Sequence, residues 1–247
     1  MALGATLALA AGCATGPDDE LAPPTPPTTT STPAPTAAPV VLPVGHGPVG
    51  PSEAVWAQGS ILHVGRRSVD LSPAAADAFV VVPGGVFLLR ASELWFTDLT
   101  RLRGTGLTSV TGLGSNLAGT RLRVEQRAGG HRQVLGFDTA TGHEVPASEV
   151  SVAPPAERLR RAGLEVALGP GGRPLVTDTR RQRRVVLSGA VPTRFELGGW
   201  AGPWRFYGVS RPRVGPAAVV GCDVRSGRCA RWGAVAPGDP VVFGTGV

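Results

Sequence analysis

From residue 53 onward the chain alternates short apolar runs with glycine or aspartate turns. Phe79-Val80-Val81-Val82 leads into Pro83-Gly84-Gly85; Val86-Phe87-Leu88-Leu89 follows, and then Leu94-Trp95-Phe96-Thr97-Asp98. Runs of this length, rich in β-branched and aromatic residues and bounded by turn formers, predict strands joined by tight hairpins. The same phrase returns as Leu122-Arg123-Val124-Glu125-Gln126, Gly129-Gly130 and Val134-Leu135-Gly136-Phe137-Asp138. It returns again as Leu164 to Leu168 with Leu175-Val176-Thr177-Asp178, and as Trp204 to Val209 with Ala218 to Asp223. A fainter first copy spans Ile61 to Leu71, with Gly65 at its turn. Helix is scarce: only Ala156 to Ala162, ahead of Gly163, reads as two helical turns on a connection.

The turn residues Gly65, Asp98, Asp138, Asp178 and Asp223 are spaced by 33, 40, 40 and 45 residues. A near-constant period marks a repeat architecture, in which each unit needs a neighbour to bury its second face. Aspartate suits the turn because its carboxylate accepts hydrogen bonds from main-chain N–H groups two residues on. Glycine at 142 and 227 suits the left-handed position that closes a short loop. Radial stacking of such meanders gives a β-propeller, whose blades hold four strands. The expected fold is therefore all-β: a β-propeller of about five four-stranded blades. The terminal run Pro240-Val241-Val242-Phe243 is expected to complete the first blade and close the ring. A sandwich-like or open all-β domain also spaces its strands by short turns, but does not call for the longer period.

The start of the chain has a different texture. Ala2 to Ala11 is small or apolar and carries no charge, and it ends in Ala10-Ala11-Gly12-Cys13. Ten residues are too few to span a bilayer, which takes about 20, but they suit the core of an export signal. Pro23-Pro24-Thr25-Pro26-Pro27-Thr28-Thr29-Thr30 lies in the stretch that follows. Such a composition buries too little to offset its ordering entropy, and its prolines favour an extended spacer. Three parts are expected: a leader over residues 1–13, a Pro/Thr-rich disordered tether over 14–44, and the propeller over 45–247.

Charge and cysteine usage add to this picture. All 24 basic residues are arginine, against 18 acidic ones, and three of those acids (Asp18, Asp19, Glu20) precede the repeats. Coding bias in a GC-rich genome accounts for arginine without lysine, and net charge names no partner. Nucleic acid is disfavoured, since no aromatic residues interleave with the densest cluster, Arg180-Arg181-Arg183-Arg184. If Asp223 pairs with Arg228, Cys222 and Cys229 fall opposite each other on adjacent strands, and a disulfide is expected there. Two cysteines without a nearby histidine fall short of a zinc site. His46, His63, His131 and His143 are scattered, so no metal and no cofactor is expected.

The one dense aromatic patch is Trp200, Trp204, Phe206 and Tyr207 within a glycine-rich stretch. With Arg205 at its rim it is a candidate ligand-binding loop, on the enrichment of Trp, Tyr and Arg at recognition hot spots. The competing assignment makes these rings core residues that seal one blade against the next. No nucleophile elbow, phosphate loop or His-Glu-x-x-His occurs. Glu93, Glu125, Glu165 and Glu196 lie on or beside expected strands, which leaves a carbohydrate-active hydrolase as the alternative to a non-catalytic binding or scaffold module.

Two resemblances sharpen the reading. The Ala-Ala-Gly-Cys ending is similar to the lipobox of bacterial lipoproteins, and it implies acylation of Cys13 and display on the outer face of the cytoplasmic membrane. Phe137-Asp138-Thr139-Ala140-Thr141-Gly142 resembles the hairpins of WD-type and quinoprotein-type propeller repeats, although no Trp-Asp dipeptide occurs. As a whole, residues 53–247 look like the propeller lipoproteins of actinobacteria. The resemblance implies a monomer held to the membrane by lipid, with an envelope protein or a wall polymer as partner.

Overall fold

The computed structural model describes residues 39–49, 53–152 and 158–244, and they are almost entirely strand and turn. The leader, Cys13 and the tether up to residue 38 lie outside the described residues. Strands β1 (Val55–Gln58), β2 (Ile61–Val64) and β3 (Arg67–Asp70) form an antiparallel meander. β4 (Ala78–Val82), β5 (Gly85–Arg90), β6 (Glu93–Thr97) and β7 (Leu102–Gly104) make the second sheet. The third holds β8 (Val110–Ser115), β9 (Arg121–Ala128), β10 (His131–Asp138) and β11 (Glu144–Val145). The fourth holds β12 (Leu159–Arg161), β13 (Leu164–Leu168), β14 (Pro174–Asp178) and β15 (Arg183–Val185). After β16 (Ser188–Gly189), the fifth sheet runs through β17 (Phe195–Trp200), β18 (Arg205–Ser210), β19 (Ala218–Asp223) and β20 (Arg228–Ala234). β16 adds to its outer edge, parallel to β20. The last strand, β21 (Val241–Phe243), returns to pair with β1 and gives the first sheet its fourth member.

This is a five-bladed β-propeller, closed by the C-terminal strand as the sequence predicts. Five separate four- or five-stranded sheets exclude the sandwich alternative, which would need two. The second sheet shows why the apolar runs are continuous rather than alternating. Phe79, Val81, Val86 and Leu88 pack on Val55, Leu62 and Val64 of the first sheet. The intervening Val80, Val82, Phe87 and Leu89 pack on Leu122, Val124 and Phe137 of the third. A strand buried on both faces has no solvent side to reserve for polar residues. Similar clusters join the fourth sheet to the fifth and the fifth to the first.

The recurring turns lie between the third and fourth strands of each sheet, which is why the period is regular. Asp98 Oδ1 accepts from the N–H groups of Thr100 and Arg101. Asp138 does so from Ala140 and Thr141, Asp178 from Arg180 and Arg181, and Asp223 from Arg225 and Ser226. The second oxygen faces an arginine each time: Arg103, Arg121, Arg181 and Arg205 respectively. Gly65 holds the same place in the first sheet, with φ of 59°.

Four sequence expectations change. The compact unit begins at Pro39, upstream of the expected start at residue 45. Leu42 is buried between the second and third sheets and donates its N–H to the Gly142 carbonyl at 2.8 Å. The helical turns expected over Ala156 to Ala162 are not found: residues 153–157 lie outside the described set, and Leu159–Arg161 is strand β12, paired with β13. The glycine-rich stretch around Gly198-Gly199 is not a loop but the bulged strand β17. Four strands near the start of their units, β1, β8, β12 and β17, lie outside the apolar runs that the sequence shows.

Candidate functional site

A concavity lies where the ring closes, between the first sheet and the fifth. Pairing across the first sheet builds one row of side chains: Phe243 opposite Trp56, Trp56 opposite His63, and His63 opposite Ser68. The row grades from apolar at β21 to polar at β3. On the facing sheet, Tyr207 sits opposite Gly221. Gly221 has no side chain, and a Cβ there would collide with the Trp232 ring. Trp232 occupies the bulge of β20 and lies over that vacant position, stacked on Tyr207 at 5.9 Å.

The two rows meet as an aromatic layer. His63 stacks on Trp56 with centroids 4.7 Å apart and planes inclined by 12°. Trp56 meets Trp232 at 6.3 Å and Tyr207 at 6.4 Å, and Tyr207 meets the edge of Phe243 at 5.9 Å. Each such pair contributes about 0.5–1.5 kcal/mol beyond the area it buries. Tyr207 also latches the seam. Its hydroxyl donates to the Val55 carbonyl at 3.0 Å and accepts from the Val55 N–H at 3.1 Å. Val55 lies one position beyond the last β1–β21 pair, so the phenol stands in for a missing ladder partner. Burial pushes the phenol up to about 12.

Toward the rim the aromatic layer gives way to an open groove of about 810 Å³. Arg66, Arg67, Arg205 and Arg231 line it, with Trp56, His63 and Trp232. Arg205 Nε donates to Asp223 Oδ2 at 3.1 Å. Among the described residues Arg66, Arg67 and Arg231 take part in no ion pair. The lining holds one carboxylate, Glu53. Burial holds the His63 imidazole below its usual value, so it is neutral at pH 7 and serves as a flat ring.

The residues singled out in the sequence fall in different places. Trp200 is 3% exposed and Tyr207 1% exposed; both are core side chains. Trp204 is half-buried, with the Arg225 guanidinium 4.3 Å over its ring. Of that patch only Arg205 reaches the groove. Cys222 and Cys229 are joined in a disulfide across a direct β19–β20 pair. The groove residues Trp56, His63, Arg66, Arg67, Arg231 and Trp232 were not singled out together, because no local pattern links segments so far apart. The sequence signal that was available is small: arginines directly after the Gly65 turn, and Arg231-Trp232 two and three residues after Cys229.

Catalytic groupings are not assembled around these residues. His63 and Ser68 are opposite each other and both line the groove. No hydrogen bond joins them among the described residues, and the His63 ring is committed to Trp56. Glu125 pairs with Arg123 and Arg132, Glu165 with Arg158 and Arg160, and Glu196 faces Arg211 at 3.9 Å. Glu93 accepts from the Trp95 indole at 3.1 Å. Among the described residues, no group of three His, Cys, Asp or Glu side chains is placed to hold a metal ion.

No protein-family profile and no curated protein matches the chain. Several solved structures show a distant likeness. TolB from Acinetobacter baumannii is 11% identical over 73% of this chain and 53% of its own, with a TM-score of 0.30. The chain thus spans about half the length of that protein. A nidogen/laminin complex structure aligns over 83% of this chain and 85% of the matched chain, at 11% identity and a TM-score of 0.30. BamB from Moraxella catarrhalis is 17% identical over 79% of this chain and 70% of its own, with a TM-score of 0.28.

Proposed function

We propose that the chain is a lipid-anchored, extracytoplasmic β-propeller that serves as a non-catalytic binding module at the cell envelope. The binding half of this reading rests on one observation: the ring-closing seam is sealed at its inner end and open at its rim. There it presents rings and unpaired guanidinium groups rather than a nucleophile joined to a base. Side chains of this kind, held on rigid sheets, suit recognition. The location half rests on the sequence: an uncharged apolar leader, Cys13 and a Pro/Thr-rich spacer. A hydrolase of the glycosidase type needs two carboxylates about 5–10 Å apart across a substrate. Glu93, Glu125, Glu165 and Glu196 are instead each engaged within their own sheet.

Metabolic labelling with a fatty-acid analogue tests the anchor. Label is expected on the wild-type chain and lost in Cys13→Ala. An unlabelled wild-type chain recovered from the cytosol with its leader intact would overturn the location. Cross-linking in intact envelopes tests the binding role: a discrete partner is expected, and a chain that cross-links to nothing overturns it.

A further inference from the structure

The seam groove has a chemistry specific enough to name what it takes. We propose that it binds an extended acidic peptide, with carboxylates on Arg66, Arg67 and Arg231 and an apolar side chain against Trp232 and His63. The assignment rests on the binding-module reading above and gives it a ligand class.

Charge supplies the first argument. Three exposed guanidinium groups converge on one groove, none in an ion pair among the described residues, with Glu53 the only acid in the lining. Unpaired arginines are common on this protein; what sets these three apart is that they line one groove together with the Trp232 and His63 rings. Guanidinium forks match carboxylate geometry and hold it by paired hydrogen bonds. The second argument is the apolar surface beside them. Trp232 is 37% exposed, and it and the His63 ring, each packed against Trp56, give the groove an apolar platform. An aromatic or branched aliphatic side chain fits such a platform.

Strand edges decide between a peptide and other anions. β16 covers β20 only at Arg228 and Cys229. Beyond that point the outer edge of β20 has no strand beside it among the described residues, and Arg231, Trp232, Gly233 and Ala234 from this stretch line the groove. On the other side β3 is the edge strand of the first sheet, and its Arg67 and Ser68 line the same groove. Unpaired main-chain donors and acceptors along a groove recognise an extended backbone. A neutral glycan needs many acceptors for its hydroxyl groups, whereas the side-chain oxygens on offer are those of Glu53, Gln58 and Ser68.

The test uses the purified full-length chain on a synthetic array of capped hexapeptides that are acidic, basic or neutral, each with and without an aromatic residue. Binding is expected on acidic peptides that carry an aromatic, and it should weaken as salt is raised. Arg66→Ala, Arg67→Ala and Arg231→Ala are each expected to lower affinity about tenfold, as loss of a charge-assisted contact does. Arg225→Ala, which lies outside the groove, should leave affinity unchanged. Trp232→Ala should weaken acidic aromatic peptides; because it also removes ring contacts to Trp56 and Tyr207, its binding is measured well below its lowered unfolding temperature. An array with no acidic preference overturns the proposal. So does equal loss in Arg225→Ala, or binding of inorganic polyphosphate or adenosine monophosphate in place of peptide. Neither lipid nor envelope enters this assay, so its outcome is separate from the Cys13 labelling and the envelope cross-linking.

Discussion

At the scale of single residues, the aspartate turns show how one side chain organises a local segment. Asp98 shows the arrangement in full. One oxygen takes the Thr100 hydroxyl and two main-chain N–H groups, while the other faces Arg103. The Thr100 hydroxyl leads the hydrogen bonds that hold the carboxyl down at about 2. Its folded value lies below the ordinary 3.8, so its contribution is complete above pH 3.8 and is lost as pH falls toward 2. Asp98→Asn should therefore lower stability by about 1–2 kcal/mol at pH 7, and the gap from wild type should shrink in thermal melts below pH 3. Tyr207 tells the opposite story about legibility. The aspartates stand out in the sequence because their partners are two or three residues away. The partner of Tyr207, Val55, is 152 residues away, so the ring reads as a surface hot spot when it is a seam latch. Tyr207→Phe leaves the Val55 N–H and carbonyl buried without partners and should cost about 2 kcal/mol, read as a lower unfolding midpoint in urea.

At the scale of strands, legibility follows how crowded each position is. In the second to fifth sheets the second and third strands announce themselves because valine, leucine and phenylalanine fill the space between blades. The first strands lie where neighbouring blades come closest. β8 and β17 use glycine there, and glycine erases the apolar pattern. A Cβ on Gly114 would sit 2.7 Å from Val152, and one on Gly198 would sit 2.6 Å from the Phe243 ring. β12 escapes notice for another reason: with Leu159–Arg161 it is too short to show alternation. Gly198→Ala should cost about 1–3 kcal/mol through overpacking, measured as a loss in the denaturation midpoint with the sheet signal in far-ultraviolet circular dichroism retained. The Cys222–Cys229 bond belongs with the legible features, since a hairpin register of a few residues is enough to place it.

At the scale of the whole propeller, the groove exists because the first and last repeats meet there. Blade number and closure were legible from the period and the apolar C-terminal run. The site was not, since its two walls come from opposite ends of the repeat array. Deleting residues 240–247 removes β21, leaves the apolar edge of β1 bare and takes away Phe243 beneath Tyr207. The truncated chain should lose cooperative thermal unfolding and bind a hydrophobic dye, while the intact chain melts in a single transition.

The pairing of β21 with β1 also sets a clock on maturation. Sheets two to four can assemble as their residues emerge, each hairpin from neighbouring sequence. The first sheet waits for β21 before it has an inner wall, so a chain made only as far as residue 240 holds an open circle whose first member is unfinished. For this protein, competence to bind at the seam begins only when β21 has joined β1.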